Sequence, residues 1–544
     1  MIRYVRLVSL FLTLTLAICS RADDLIDFLD SEQVANFEIN VVRDPTKKEA
    51  VVFLLKDLKG IELLKERLYL RTNELNIRPL YSLPVNIPRI RPEFDSLLTF
   101  TPFYNQTTRG YFNEHSTNMS SYLAIQGQDF LVALENFFTE LKAVVGGSLD
   151  PDKFLAILPL FETFTIQERR AGLMFTAMHQ TPCWRVNAQT PFYYLERNFF
   201  VDCKNQKLLE TAISEQFPTK VGTQEDQEQF QNEHLISDKI GFGDLHLMFD
   251  YTLIDRASVQ MRLGVMTTIP SAFTFKRGLR GSHFRRTHNF LQLPLLDLEE
   301  LFEKFTSPDE ENAVEFCAAQ FFNQALDQLS TMLIEEQLGN RRHFGIGVYY
   351  TNTWALSDLI RKWCWTDYFA LTGFTSLEYL IPHNETRFFV QKDDRAEFDQ
   401  RNFNSLDPAL ILSNYDFLQS KFTQRFFPYA LRTRVYPGLM FQMQSELRFA
   451  RGRYGFTVGL DTWVRTQEGF GSICTSEGMP SASQLDCCVA RSPFAYQSKV
   501  FGTVFWIVDN PDAYWNISLY GDYTDDSVGI GRDFTLALRI EVNF

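Results

Sequence analysis

The last eleven residues read Phe534-Thr535-Leu536-Ala537-Leu538-Arg539-Ile540-Glu541-Val542-Asn543-Phe544. Six apolar side chains, Phe534, Leu536, Leu538, Ile540, Val542 and Phe544, alternate with Thr535, Ala537, Arg539, Glu541 and Asn543. A period of two puts an oily face on one side of an extended chain and a largely polar face on the other. A helix would scatter the same residues around its circumference. A soluble sheet alternates too, but it rarely ends a polypeptide on an aromatic in the lipid-facing phase. The stretch is therefore expected to be the last strand of a membrane wall.

The theme recurs upstream. Leu245, Leu247, Phe249, Tyr251 and Leu253 alternate with Asp244, His246, Met248, Asp250 and Thr252, and Val259 to Val265 alternate with Gln260, Arg262 and Gly264, giving a hairpin across 254–258. Phe441, Met443, Leu447 and Phe449 stand opposite Gln442, Gln444, Glu446 and Arg448. Phe456, Val458, Leu460 and Val464 stand opposite Thr457, Gly459, Asp461 and Arg465, with a turn at 451–453. Similar segments occur at 343–350 and 515–520, and less regular ones near 97–105, 161–180, 184–200, 365–381, 427–436 and 496–508. The pattern predicts an all-β, transmembrane, antiparallel up-and-down barrel of about 12–14 strands.

Composition agrees. The 544 residues include 51 Phe and 21 Tyr, yet mean hydropathy is only −0.17. A barrel wall offers only alternate residues to lipid, and aromatic girdles raise the ring content without making the chain hydrophobic on average. A net charge of −14 argues against a nucleic-acid partner, which needs clustered Lys and Arg.

Residues 1–22 read as a secretory signal: Arg3 and Arg6, then an apolar run from Leu7 to Ile18, then Ser20-Arg21-Ala22. That run is shorter than the roughly 20 residues of a spanning helix, and no later segment supplies one. Anything holding the mature chain in a membrane must therefore be built from strands, and only closed barrels satisfy strand backbone in lipid. Residues 23–95 differ from the rest and read as a periplasmic or plug-like segment, with Pro84, Pro88 and Pro92 marking the boundary to a barrel over 96–544. Helical insertions are expected near 124–144 and 298–340, and long loops at 204–238 and 466–495.

Eight cysteines, less Cys19 in the signal, leave seven. Cys474 with Cys487 or Cys488 could close a loop of about 14 residues in an oxidising compartment. No spacing resembles a metal site, no nucleophile and base stand in a recognisable motif, and Gly241-Phe242-Gly243 lacks the third glycine and the following helix of a dinucleotide cradle. The expectation is a chain that is not an enzyme and carries no cofactor.

The inward polar set is more informative. Asp244, Asp250, Arg262, Glu446, Arg448, Asp461, Arg465, Arg539 and Glu541 place both signs of charge inside a barrel, where they either line a watery pore or pair and close it. Tyr349, Trp463, Phe501, Phe505 and Tyr520 share that face and could offer an apolar track to a greasy solute.

Gly241-Phe242-Gly243-Asp244-Leu245-His246-Leu247, then Tyr251 and Leu263-Gly264-Val265 running to Pro270, resembles the outer-membrane transporter superfamily for fatty acids and aromatic compounds, including the meta-pathway of phenol degradation proteins. The likeness covers about 30 residues, and the helical insertion departs from a compact uptake barrel. The terminal strand, with Phe534, Leu536, Leu538, Ile540, Val542 and Phe544, resembles the general recognition signal read by the barrel assembly machinery. The resemblance implies a bacterial outer-membrane channel, in contact with outer-membrane lipid, that passively admits a small hydrophobic solute. The alternative is a structural or surface-interaction barrel with a closed, charge-paired lumen and no transport.

Overall fold

The computed structural model describes residues 78–84, 95–109, 165–200, 236–256, 258–277, 338–359, 368–389, 429–475, 480–510 and 513–543, with isolated positions between 366 and 417. All of them belong to the larger of two compact units, Leu63–Phe544.

The strands are β1 (Ser96–Arg109), β2 (Thr165–Gln180), β3 (Trp184–Phe200), β4 (Ile236–Phe242), β5 (Leu245–Arg256), β6 (Val259–Ile269), β7 (Phe273–Arg277) and β8 (Gly345–Ala355). Then come β9 (Phe369–Leu380), β10 (His383–Phe389), β11 (Tyr429–Tyr436), β12 (Leu439–Arg451), β13 (Tyr454–Arg465) and β14 (Gly469–Ile473). The last three are β15 (Ala495–Asn510), β16 (Ala513–Val528) and β17 (Arg532–Asn543). Twelve of them pair antiparallel in the ring β1-β2-β3-β5-β6-β8-β9-β12-β13-β15-β16-β17. Pairing of β17 with β1 closes it, in the register Leu98↔Val542, Phe100↔Ile540 and Tyr104↔Leu536. Twelve is even, at the lower end of the expected range. Closure leaves this ring without an edge, as backbone in lipid requires.

The faces are inverted relative to a soluble protein. In β17, Leu536 and Leu538 are 54% and 40% exposed, whereas Thr535, Arg539 and Glu541 are buried. The same phase gives an outward row of Val504, Leu519 and Leu538 across three neighbouring strands. Phe534, Ile540 and Val542 lie on that outer face, while Phe544 falls outside the described residues.

Several wall strands continue past a break and resume pairing with the same neighbour. β9 and β10 are separated by Ile381-Pro382, β11 and β12 by Pro437-Gly438, and β13 and β14 by residues 466–468. The sheet β10-β11-β14 therefore prolongs β9-β12-β13. Proline cannot donate to the ladder, and Gly438 takes φ +90°, so this Pro-Gly pair bends the wall without ending it. Likewise β4 and β7 prolong β5 and β6. On the extension sheet Arg432 and Arg434 point outward and are exposed, so it stands beyond the apolar band. The breaks lie at the end with the long connections. The other end carries short turns, such as those joining β2 to β3, β12 to β13 and β15 to β16, as on the periplasmic side of bacterial barrels.

The region 466–495 is more than a loop: it holds β14, a 3-10 turn at Ala482–Gln484 and a single helical turn at Cys487–Ala490. The insertion expected near 124–144 lies outside the described residues, as does that near 298–340 except for Leu338–Asn340, which are bends. Finally, the expected bridge does not form, since Cys474, Cys487 and Cys488 are free thiols, as is Cys183. Cys474 is tied to β11 through its N–H on the Arg432 carbonyl, while Cys487 and Cys488 sit on the separate helical turn and Cys488 Sγ accepts from Arg491 at 3.5 Å.

Candidate functional site

Each wall strand must put every second side chain inside, and here many of those are ionic. A charge removed from water persists only when paired and hydrogen-bonded. Asp250 on β5 receives Arg185 Nε at 2.7 Å, Arg262 Nη1 at 3.2 Å and the Tyr349 hydroxyl at 2.6 Å. Glu168 on β2 takes Arg170 Nε at 2.5 Å on one oxygen and Arg197 Nε at 2.8 Å on the other. Lys499 on β15 donates to Asp522 at 3.0 Å and Asp533 at 2.9 Å, and Asn105 of β1 donates to Asp533 at 2.8 Å. Arg539 and Glu541 meet at 2.5 Å along β17.

Inside this wall lies the turn of residues 78–84, with a 3-10 segment at Leu80–Ser82. It touches the barrel from several sides. Arg78, buried, donates to Asp461 of β13 and lies over the Trp463 ring at 5.8 Å. Its carbonyl accepts Arg170 Nη1 at 2.8 Å, and the Ser82 carbonyl accepts Gln442 Nε2 at 2.8 Å. Tyr81 donates to Glu378 of β9 at 3.1 Å and stacks on His246 of β5, ring centroids 4.7 Å apart. Leu80 and Leu83 share a buried cluster with Phe103, Met174, Tyr193 and Phe501. Pro79 opens the turn and has no N–H to satisfy, which suits a short buried 3-10 segment.

Two cavities flank the turn. The larger lies at the level of the strand breaks and is lined by Arg78, Tyr81, Asp244, Arg341, His343 and Glu385 among others. The smaller is lined by residues that include His246, Met248, Met266, Phe374, Glu378 and Trp463. Tyr81 and Met440 line both.

The larger cavity borders an ionic cluster at the extension sheet. Arg341 donates to Glu385 at 3.2 Å, His343 Nε2 contacts the other Glu385 oxygen, and Arg387 spans both oxygens of Glu468 at 3.1 Å. Burial alone would raise the Glu385 carboxyl, but the guanidiniums of Arg387 and Arg341 and the His343 contact outweigh it and hold the group well below the usual carboxylate range. Glu468 is also lowered: burial opposes this, and Arg387 and Arg465 prevail. Arg341 and Arg342 take φ of 52° and 66°, left-handed values uncommon for side chains of this size, in the tight approach to β8.

Of the sequence-predicted lumen residues, Asp244, Asp250, Arg262, Glu446, Asp461, Arg465, Arg539 and Glu541 are buried. Arg448 is half-buried over the Phe505 ring at 4.8 Å. Asp250 meets Arg262, and Arg539 meets Glu541. Asp461 instead pairs with Arg78, and Asp244 accepts the backbone N–H groups of Ala272 and Asn340. The inward aromatics are buried and engaged: Tyr349 by Asp250, Tyr520 by Asp522, Trp463 by Arg78 and Phe505 by Arg448. Sequence reading missed Arg78, Tyr81, Glu168, Arg170, Lys499 and Asp533.

No protein-family model and no curated protein matches the chain. Among solved structures, an outer membrane channel from Pseudomonas putida F1 is similar at 10% identity and a TM-score of 0.38, covering 84% of this chain and 97% of its own. The Pseudomonas putida toluene transporter TodX is similar at 8% identity and 0.31, covering 87% and 94%. The Ralstonia pickettii toluene transporter TbuX is similar at 6% and 0.28, covering 83% and 90%. At such identities and scores, what those proteins carry does not extend to this chain. Its own strand pairing and inverted faces define a transmembrane β-barrel.

Proposed function

We propose that the protein is a passive channel of the bacterial outer membrane, in which residues 78–84 act as a stopper that must shift before a small solute passes. The observation that carries this reading is the pair of cavities on either side of that turn, with Tyr81 lining both. Moving one short segment, held by the Arg78–Asp461 ion pair, hydrogen bonds, the Tyr81–His246 stack and two leucines, would join spaces already present. Leu195, Leu380 and Met440 beside Arg78 and Asp244 suit a solute with an apolar body and a polar edge. On this reading the outward face of β17, with Phe544, serves insertion by the assembly machinery, and the short-turn end faces the periplasm.

A planar-bilayer measurement tests the proposal. The folded wild type is expected to open rarely, and Arg78→Ala, which unties the turn from Asp461, is expected to raise open probability. A second reading, the closed structural barrel, is favoured by the completeness of the ion pairs around Asp250, Glu168 and Lys499. Silence of both folded proteins at all voltages would reject the channel in its favour.

A further inference from the structure

The smaller chamber contains a chemical combination that neither pore lining nor ion pairing uses. His246 is buried, at 4% exposure, and neither ring nitrogen has a hydrogen-bond partner. An imidazole taken from water without a partner carries an uncompensated desolvation cost, so such a group calls for an explanation. Its ring lines the chamber and stacks on the Tyr81 ring.

Beside it are thioethers. Met248 lies two residues along β5 and hence on the same inward face, and Met266 of β6 is its direct cross-strand partner. Directly opposed residues hold their Cβ atoms about 4.5–5.5 Å apart. Both methionines are 6% exposed and both line the chamber, as does Met440 from β12. Three of the thirteen lining residues are thus methionine, against 11 in the whole 544-residue chain, a concentration that average composition does not supply. Glu378 is the single charged residue of that lining, so the chamber has one negative group and no positive one.

Thioethers select soft metal ions and imidazole also binds copper, whereas Mg(II) and Ca(II) require oxygen ligands. A single carboxylate nearby offsets a single positive charge. We propose that the chamber is a binding site for one soft monovalent metal ion, Cu(I) or Ag(I), held by a ring nitrogen of His246 and the sulfurs of Met248 and Met266. Asn187 Nδ2 donates to Met248 Sδ at 3.6 Å, which occupies one sulfur lone pair and leaves the other for a metal. Glu378, held by Thr268 at 2.6 Å and by Tyr81, supplies the compensating charge without ligating. Because Tyr81 stacks on His246, occupancy of the site and the position of the 78–84 turn are coupled. The site itself requires only the chamber, and not passage along the axis.

The test uses the full-length folded protein in detergent, with its thiols alkylated because Cys183, Cys474 and Cys488 are exposed and would compete for the same ions. Ag(I) is the redox-inert probe, titrated by calorimetry. The expected result is one saturable equivalent, weakened at least about ten-fold in His246→Leu and in Met266→Leu, both of which retain apolar volume. Absence of saturable binding, or unchanged affinity in both folded variants, overturns the proposal. Should the variants not fold, X-ray absorption on Cu(I)-loaded wild type decides: mixed sulfur and nitrogen ligation supports the site, and ligation without sulfur refutes it. Conductance plays no part in these readouts, so failure here and failure of the channel reading are distinguishable.

Discussion

Arg78 donates its guanidinium to the carboxylate of Asp461, 383 positions further along the chain, and both side chains are almost completely buried. The pair joins a turn inside the lumen to the middle of the wall, with Gln442 hydrogen-bonded to both the turn and Asp461.

Removing one partner of a buried pair leaves the other charged and unsolvated, at a cost of about 3–5 kcal/mol. In Arg78→Ala that cost falls on the turn, because the twelve-strand ring is held by its own ladders. The expected outcome is faster hydrogen exchange in residues 78–84 with unchanged heat-modifiable migration. Loss of the barrel form itself would show that the turn is part of the wall's stability.

The outer face makes a prediction of opposite character. Val504, Leu519 and Leu538 form a contiguous exposed row across β15, β16 and β17. An arginine at the hydrocarbon midplane costs about 2–4 kcal/mol, and less toward the interfaces. Leu519→Arg should therefore destabilise the barrel by roughly that amount in urea titrations in lipid, whereas the inward Thr535→Val should not approach it. Equal effects would mean that lipid does not contact this face.

These contrasts explain what could be read in the sequence. The β17 face was legible because apolar residues at every second position from Phe534 to Val542 keep strict phase along the strand. Asp250 and Arg262 were legible because β5 and β6 both alternate cleanly about a short turn, so phase alone brings them together. Arg78 was not, since a seven-residue turn has no period and its burial exists only once distant strands close around it. In β2, Gln167-Glu168-Arg169-Arg170 is polar at every position, which hides the phase. Lys499 sits beside a register shift between β15 and β16. The prolines at 270, 382 and 437 read as strand ends, yet pairing resumes beyond each, because a ladder tolerates a missing donor at a bend.

Asp250 is shared by Arg185, Arg262 and Tyr349, so its loss should exceed that of either arginine. Asp250→Asn leaves two guanidiniums buried without a counter-charge, at about 3–5 kcal/mol or more. Arg262→Met still leaves Arg185 to balance the carboxylate. Urea midpoints for the two variants should therefore differ, with Asp250→Asn the lower. Equal midpoints would show that water reaches this pair and screens it.

Acid should destabilise the extension sheet. Glu385 and Glu468 are ionised more readily in the folded protein than a free glutamate, whose value is about 4.3. A carboxyl lowered by folding contributes stability that is fully present above the unfolded value and is lost as pH falls through the folded one. The β10-β11-β14 sheet should thus be equally protected at pH 7 and pH 5, and lose protection progressively below about pH 4, where the opened segment takes up protons that the folded carboxylates, held by Arg341, Arg387 and Arg465, do not. Proteolysis across 383–389 and 469–473 as a function of pH measures this. In Glu385→Gln the neutral side chain cannot hold the guanidiniums at any pH, so the sheet should be weakened already at pH 7 and its acid dependence reduced. An unaltered acid profile in that variant would assign the protection to packing around Phe389, Leu431 and Leu485 instead.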